Sequence, residues 1–167
     1  MYKRQVQFSR ISSRYNLKRK IAYYGRVRPH LGTDFAAPRG TPIRATASDT
    51  VTKASYTRSN GNYIKIKHNG TYSTQYLHMD KRGVKVGQFV KQGDFIGTVG
   101  MTGNTSGPHV CYRFWKNGKQ VDPLKQKLPE AKPISKELKK RYLKYMMPVK
   151  NQLDSIESFP FEKKSIR

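Results

Sequence analysis

Four histidines and one cysteine carry most of the chemistry open to this chain. His30 stands four residues before Asp34 in "RPHLGTDFAAPRGTP", and His109 stands two residues before Cys111 in "TSGPHVCYRFW". His78 lies in "YLHMD" and His68 in "KHNG". In extended chain, side chains two or four residues apart point the same way. Each pair is therefore aimed in one direction if its segment is a strand. Imidazole nitrogen, carboxylate oxygen and thiolate are all zinc ligands, and a catalytic zinc takes three protein ligands and keeps one open position. The spacing permits a metal site. A plainer reading stands beside it: a buried free cysteine behaves as a small hydrophobe, and His-x-x-x-Asp is a common pair. His78 also fits an ordinary strand end, and His68, beside a turn, is expected to face solvent.

The elements that must position these groups are short strands. From Pro29 to about Leu124, the stretches "DTVTKASYT", "NYIKIKHNG", "TYSTQYLHM" and "QFVKQGDFIGTVG" are rich in β-branched and aromatic residues, with turn signals at "SNGN", "HNG", "KRGVKVG" and "TGNTSGP". In "NYIKIKHNG", Tyr63, Lys65 and Lys67 alternate with Ile64 and Ile66, the pattern of a strand with one apolar face. Strands this short predict an all-β sandwich or barrel-like core. "GNTSGP" lacks the Lys-Ser/Thr end of a phosphate loop. "VKVGQFVKQGDFIGTVG" is similar to strands of biotinyl and lipoyl carrier domains but offers no modifiable lysine at a hairpin tip.

Residues 1–28 read as a basic lead-in without strong periodicity, and residues 125–167 as an appendage. Within the appendage, "ISKELKKRYLKYMM", Ile134 to Met147, places Leu138, Tyr142 and Tyr145 or Met146 at helical spacing. Pro133 suits a helix start, and Pro148 is expected to close the helix before a weakly structured tail.

The chain has 34 Lys+Arg against 10 Asp+Glu, a formal charge of +24. That field favours polyanions: nucleic acid, anionic membranes or acidic cell-wall polymers. A single cysteine allows no internal disulfide, so the redox compartment stays open. No apolar run approaches the roughly 20 residues of a membrane span. The first twenty residues lack the apolar segment of a signal peptide.

In order and spacing, the segments "HLGTDFAAPRGTPIRAT", "GNYIKIKHNGTYSTQYLHM", "VKVGQFVKQGDFIGTVGMTGNTSGPHV" and "NGKQVDPLK" resemble the lysostaphin-type (LytM-like) zinc endopeptidases that cut peptidoglycan peptides. The resemblance runs from about Arg28 to Leu124. It implies a mainly β fold of the barrel-sandwich hybrid type, a compact antiparallel sheet with the active site in a groove across one face. It implies His30 and Asp34 as zinc ligands, and His78 and His109 as the two histidines that act on the attacking water and the tetrahedral intermediate. The family's third ligand is the second histidine of His-x-His, and here that position is Cys111. A thiolate in place of imidazole lowers the formal charge of the centre from about +1 to about zero, weakening the Lewis acid; Cys₂His sites nonetheless serve in alcohol dehydrogenase. Asn62, Tyr63 and Tyr76 are expected near the groove by the same likeness, as substrate-binding residues.

The resulting expectation is a Zn2+-dependent endopeptidase acting on peptidoglycan cross-links outside the cytoplasm, in the periplasm or cell envelope. Its export signal would lie upstream of this chain, and a protein partner would meet the C-terminal helix. A non-catalytic wall-binding or regulatory relative with the same fold is the alternative. A basic nucleic-acid-binding β domain ranks last, because no RRM-like or OB-like aromatic signature is present and no specific nucleic acid is expected.

Overall fold

The computed structural model describes residues 6, 9–21, 26–126 and 135–157. The chain divides into two units, Met1–Pro129 and Glu130–Arg167. In the first unit the strands are β1 (Arg10–Ser13), β2 (Lys20–Ile21), β3 (Arg26–Val27), β4 (Thr33–Ala36), β5 (Pro42–Arg44) and β6 (Asp49–Thr57). They continue as β7 (Gly61–Lys67), β8 (Tyr72–Arg82), β9 (Phe89–Val90), β10 (Phe95–Val99), β11 (His109–Lys116) and β12 (Lys119–Val121). The main sheet runs β1-β4-β11-β8-β7-β6-β9, with β10 joined to β5 and β8, and β12 to β11; β2 and β3 form a separate ribbon. The pairings of the main sheet are antiparallel, as the strand pattern predicts.

Period-two alternation sorts the side chains. On β7, Ile64 and Ile66 are fully buried in the core while Lys65 and Lys67 lie on the opposite face. On β11, Val110, Tyr112 and Phe114 enter the same core, so His109, Cys111, Arg113 and Trp115 line the other face. Each buried aliphatic side chain of this kind contributes roughly 1.5–3 kcal/mol. A polar chain threads the core: the Tyr76 hydroxyl accepts from Thr46 N and lies 2.9 Å from Thr46 Oγ1, which is 3.1 Å from the Tyr112 hydroxyl. Thr74 Oγ1 stands 3.3 Å from the Tyr76 hydroxyl and 2.8 Å from His68 Nε2.

Two expectations, on His68 and on Pro148, differ from the structure. Within residues 1–28, β1 pairs with β4; its polar sequence RISS carries no apolar period because pairing, not burial, holds it. His68 does not simply face solvent: its Nδ1 donates to Ser48 O at 3.0 Å and its Nε2 meets Thr74. The helix α1 of the second unit spans Lys136–Glu157 and carries Pro148 inside it; the expected start at Ile134 lies outside the described residues. Proline removes one backbone hydrogen bond, but the following turns are helix-compatible and include a Lys150–Asp154 pair at 3.0 Å. Ser135 Oγ accepts from Leu138 N at the helix start. Among the described residues no helix is long and apolar enough to cross a membrane.

Candidate metal centre

Cross-strand pairing assembles what the sequence separates. On β4, Thr33 and Phe35 turn inward and Asp34 turns to the β11 face that bears Cys111; Asp34 and Cys111 are direct neighbours in register. His30 precedes β4 in extended chain, fixed by reciprocal backbone hydrogen bonds with Asn16 of 2.7 and 3.0 Å. The result is a cluster in which one ligand atom from each of His30, Asp34 and Cys111 lies within 4.8 Å of the others. His30 Nε2 is 3.0 Å from Asp34 Oδ1, and Cys111 Sγ is 3.7 Å from His30 Nε2.

Hydrogen bonds to backbone carbonyls decide the tautomers. A carbonyl only accepts, so each ring nitrogen facing one carries the proton. His30 Nδ1 donates to Arg14 O at 3.0 Å, His78 Nδ1 to Thr102 O at 2.9 Å, and His109 Nδ1 to Gly107 O at 2.8 Å. In the neutral rings all three Nε2 atoms are then lone pairs. His109 Nε2 points toward Asp34 Oδ1 from 3.8 Å, and the His78 ring centroid is 4.8 Å from that of His109. His78 adopts φ 61° within β8, a left-handed conformation uncommon for histidine. Strain of this kind is concentrated at functional sites.

Two loops clamp the imidazoles. Thr102 Oγ1 accepts from Asn62 N and donates to Met79 O, while Thr105 Oγ1 lies 3.1 Å from His109 Nδ1. Gly61 and Gly103 have φ of 65° and 79°, and a Cβ on either would collide with the other loop's backbone. "TGNTSGP" is therefore the holder of His78 and His109.

The donor set fits a cation. Asp34 Oδ1 is buried with no aligned hydrogen-bond donor: with the His30 ring neutral, the Nε2 that stands 3.0 Å away is a lone pair, and only the protonated ring pairs with the carboxylate. Two acceptors face each other, and a cation between them removes the repulsion. Zinc bonds of about 2.0–2.3 Å put tetrahedral ligand atoms about 3.3–3.6 Å apart, close to the spacing here. Burial pushes Asp34 up, but His30, Cys111 and His109 together outweigh it and hold the carboxyl below its ordinary value. Burial first, then the Asp34 charge, pushes the Cys111 thiol far above its usual range, with Arg113 opposing. Coordination to a metal deprotonates such a thiol outright. Burial also lowers His78, with its bond to Thr102 opposing, which favours the neutral ring.

The five residues expected to do chemistry thus come together. Tyr63 is buried beside Leu77 and Cys111 under the same face. Asn62 is half-buried, its Nδ2 spent on Asp80 O at 3.1 Å. Tyr76 is not brought to this face: it is fully buried on the core side, its hydroxyl engaged by Thr46. Sequence reasoning passed over Gly32, Arg113 and the carbonyls of Arg14, Thr102 and Gly107. Gly32 carried a signal, a glycine two residues before Asp34. Farther along the face, Lys65 Nζ sits 3.7 Å over the Trp115 ring, a cation–π pair.

Residues 28–123 match peptidase family M23. The chain is 40% identical over 154 residues, 92% of its length, to the peptidoglycan DD-endopeptidase ShyC of Vibrio cholerae, and covers 35% of that protein. A zinc containing peptidase from Vibrio cholerae superposes with TM-score 0.70 at 43% identity, over 74% of this chain and 38% of that one. The catalytic domain of lysostaphin from Staphylococcus simulans gives 0.62 at 30% identity, over 70% and 90%. The chain belongs to peptidase family M23. It spans about a third of the length of the curated relatives it matches.

Proposed function

We propose that this chain is the catalytic part of a zinc-dependent endopeptidase that hydrolyses DD-peptide cross-links of peptidoglycan outside the cytoplasm. The observation that carries the reading is the unpaired, buried Asp34 Oδ1 facing His30 Nε2, with Cys111 Sγ completing the donor set. His30, Asp34 and Cys111 hold the metal, and thiolate plus imidazole favour zinc. Zinc bound there supplies Lewis acidity, polarising a peptide carbonyl and making water a better nucleophile.

The chain's own groups do the proton work. His109 and His78 present Nε2 toward the cluster, held there by Gly107 O and Thr102 O, which take the Nδ1 protons. The neutral ring of one accepts a proton from the attacking water and passes it to the leaving amine; the other acts as its imidazolium, donating from Nε2 to the oxyanion of the tetrahedral intermediate. Tyr63 and the exposed edge of Asn62 border the peptide. The surrounding Lys and Arg attract a wall polymer bearing carboxylates. Apolar side chains exposed on α1, Leu138, Tyr142 and Leu153 among them, are where a protein partner would bind.

The test is digestion of purified peptidoglycan sacculi by the zinc-loaded chain, read by chromatography and mass spectrometry of the released muropeptides. Cross-linked dimers should convert to monomers, stop doing so on chelation, and resume with added zinc. Stoichiometric zinc with dimers left intact would instead identify a non-catalytic wall-binding relative.

A further inference from the structure

Arg113 has no task in the chemistry above. It lies two residues beyond Cys111 on the same face of β11, half-buried. Its Cγ and the Cys111 sulfur press on one spot: a Cβ built on Gly32 would be 3.2 Å from the first and 2.7 Å from the second. Its Nε is buried without a hydrogen-bond partner. No carboxylate among the described residues comes within the 4.0 Å of an ion pair with it. A guanidinium nitrogen has been taken out of water on a side chain whose stem shares the Gly32 space with the sulfur, with no acid to meet it. Leaving such a donor dry is unfavourable, so its placement calls for an anion.

Charge says which anion. With imidazole, carboxylate and thiolate around a zinc ion, the centre is near zero overall, and the sulfur carries a full negative charge toward its surroundings. We propose that Arg113 is a positioning residue for this centre: its guanidinium donates to the Cys111 thiolate, draws off part of the sulfur's charge, and so recovers Lewis acidity that the change from imidazole to thiolate gives away. This rests on the reading of Cys111 as a metal ligand. Partners behind a ligand commonly tune affinity on the order of ten- to a hundred-fold, and hydrogen bonds to a ligand sulfur tune its electronics.

The experiment uses cobalt(II) as the probe. The full chain, Arg113→Gln and Arg113→Lys are titrated with cobalt and by zinc competition, each with Cys111 and again with Cys111→His. The parent should show a sulfur-to-cobalt charge-transfer band. With Cys111 present, Arg113→Gln should bind metal about tenfold more weakly or worse and shift the band to lower energy, because an unbonded thiolate releases charge more readily. Arg113→Lys should fall between, which tests the idea even if the glutamine variant folds poorly. With Cys111→His, the centre regains about one positive unit, so Arg113→Gln should leave affinity equal or improved.

Four outcomes overturn the proposal. Unchanged affinity and band in Arg113→Gln would show no contact with the thiolate. An equal loss in both backgrounds would show damage to the fold. A raised KM for peptidoglycan fragments with metal affinity and band unmoved would place Arg113 on a substrate carboxylate instead. Absence of the band in the metal-loaded parent would overturn the Cys111 ligand reading as well.

Discussion

Gly32 and Cys111 share one space: a Cβ on Gly32 would stand 2.7 Å from the Cys111 sulfur and 3.1 Å from the Tyr112 carbonyl oxygen. The chain approaches β11 closely there, and the missing side chain is what lets the thiol sit beside His30. Gly32→Ala should push the sulfur out of line with Asp34, at about 1–3 kcal/mol of overpacking. Zinc affinity, measured by competition with a chromogenic chelator, should drop about tenfold or more. An unchanged affinity would mean that the sulfur is not part of the donor set.

Cys111 itself separates ligand from filler. Cys111→His restores a second neutral nitrogen donor and should retain zinc and hydrolysis. Cys111→Ser leaves a poor ligand of similar size, and zinc content by elemental analysis should drop from about one per chain to a small fraction. Equal zinc in the parent and the serine variant would return Cys111 to the plain role of a buried strand residue.

These two residues also mark how far the sequence reaches. The alternation of Ile64 and Ile66 against Lys65 and Lys67 was legible because one face of β7 is buried and the other is not. His30 with Asp34, and His109 with Cys111, were legible as pairs because extended chain aligns such spacings. That the two pairs meet was not, since the register Cys111 to Asp34 is a property of the folded sheet; only the order of motifs shared with a family implied it. Tyr76 was misplaced for a physical reason: residues 74–79 of β8 are buried on both faces, so alternation gives no contrast. The carbonyls of Arg14, Thr102 and Gly107 have no residue identity to read, and they set the tautomer of every histidine in the site.

The imidazoles that do not hold metal should separate binding from turnover. His109→Ala removes a base that faces Asp34 from 3.8 Å, leaving the His30, Asp34 and Cys111 donors in place. The expected loss is about 10²–10⁴ in kcat with zinc stoichiometry near that of the parent. Parallel loss of zinc would move His109 into the metal shell.

The glycine clamp gives a second route to the same separation. Gly103 has φ 79°, and a Cβ there would collide with Gly61 N, so Gly103→Ala should displace the loop carrying Thr102. His78 would lose the carbonyl that holds its Nδ1, and a shift of about 1 Å in such a group costs about a hundredfold in rate. Peptidoglycan hydrolysis should therefore decline steeply while zinc content holds. Retained full activity would show that the Thr102 carbonyl does not orient His78.

His68 sets a pH dependence far from the metal. Burial lowers its pKa, with Ser48 O and Asp49 only partly opposing, because the fold uses the ring as a neutral donor to Ser48 and acceptor for Thr74. The unfolded ring titrates near about 6.5. A histidine with a depressed folded pKa stabilises the fold fully above that value, and the contribution fades as pH falls through the folded pKa. Acid protonates Nε2, and Thr74 then faces a donor instead of an acceptor. Between about pH 7 and 5, the Tm of the metal-free parent should decline more than that of His68→Gln, whose amide does not titrate. Parallel Tm curves across this range would remove His68 from the acid response and leave it to the imidazoles of the site.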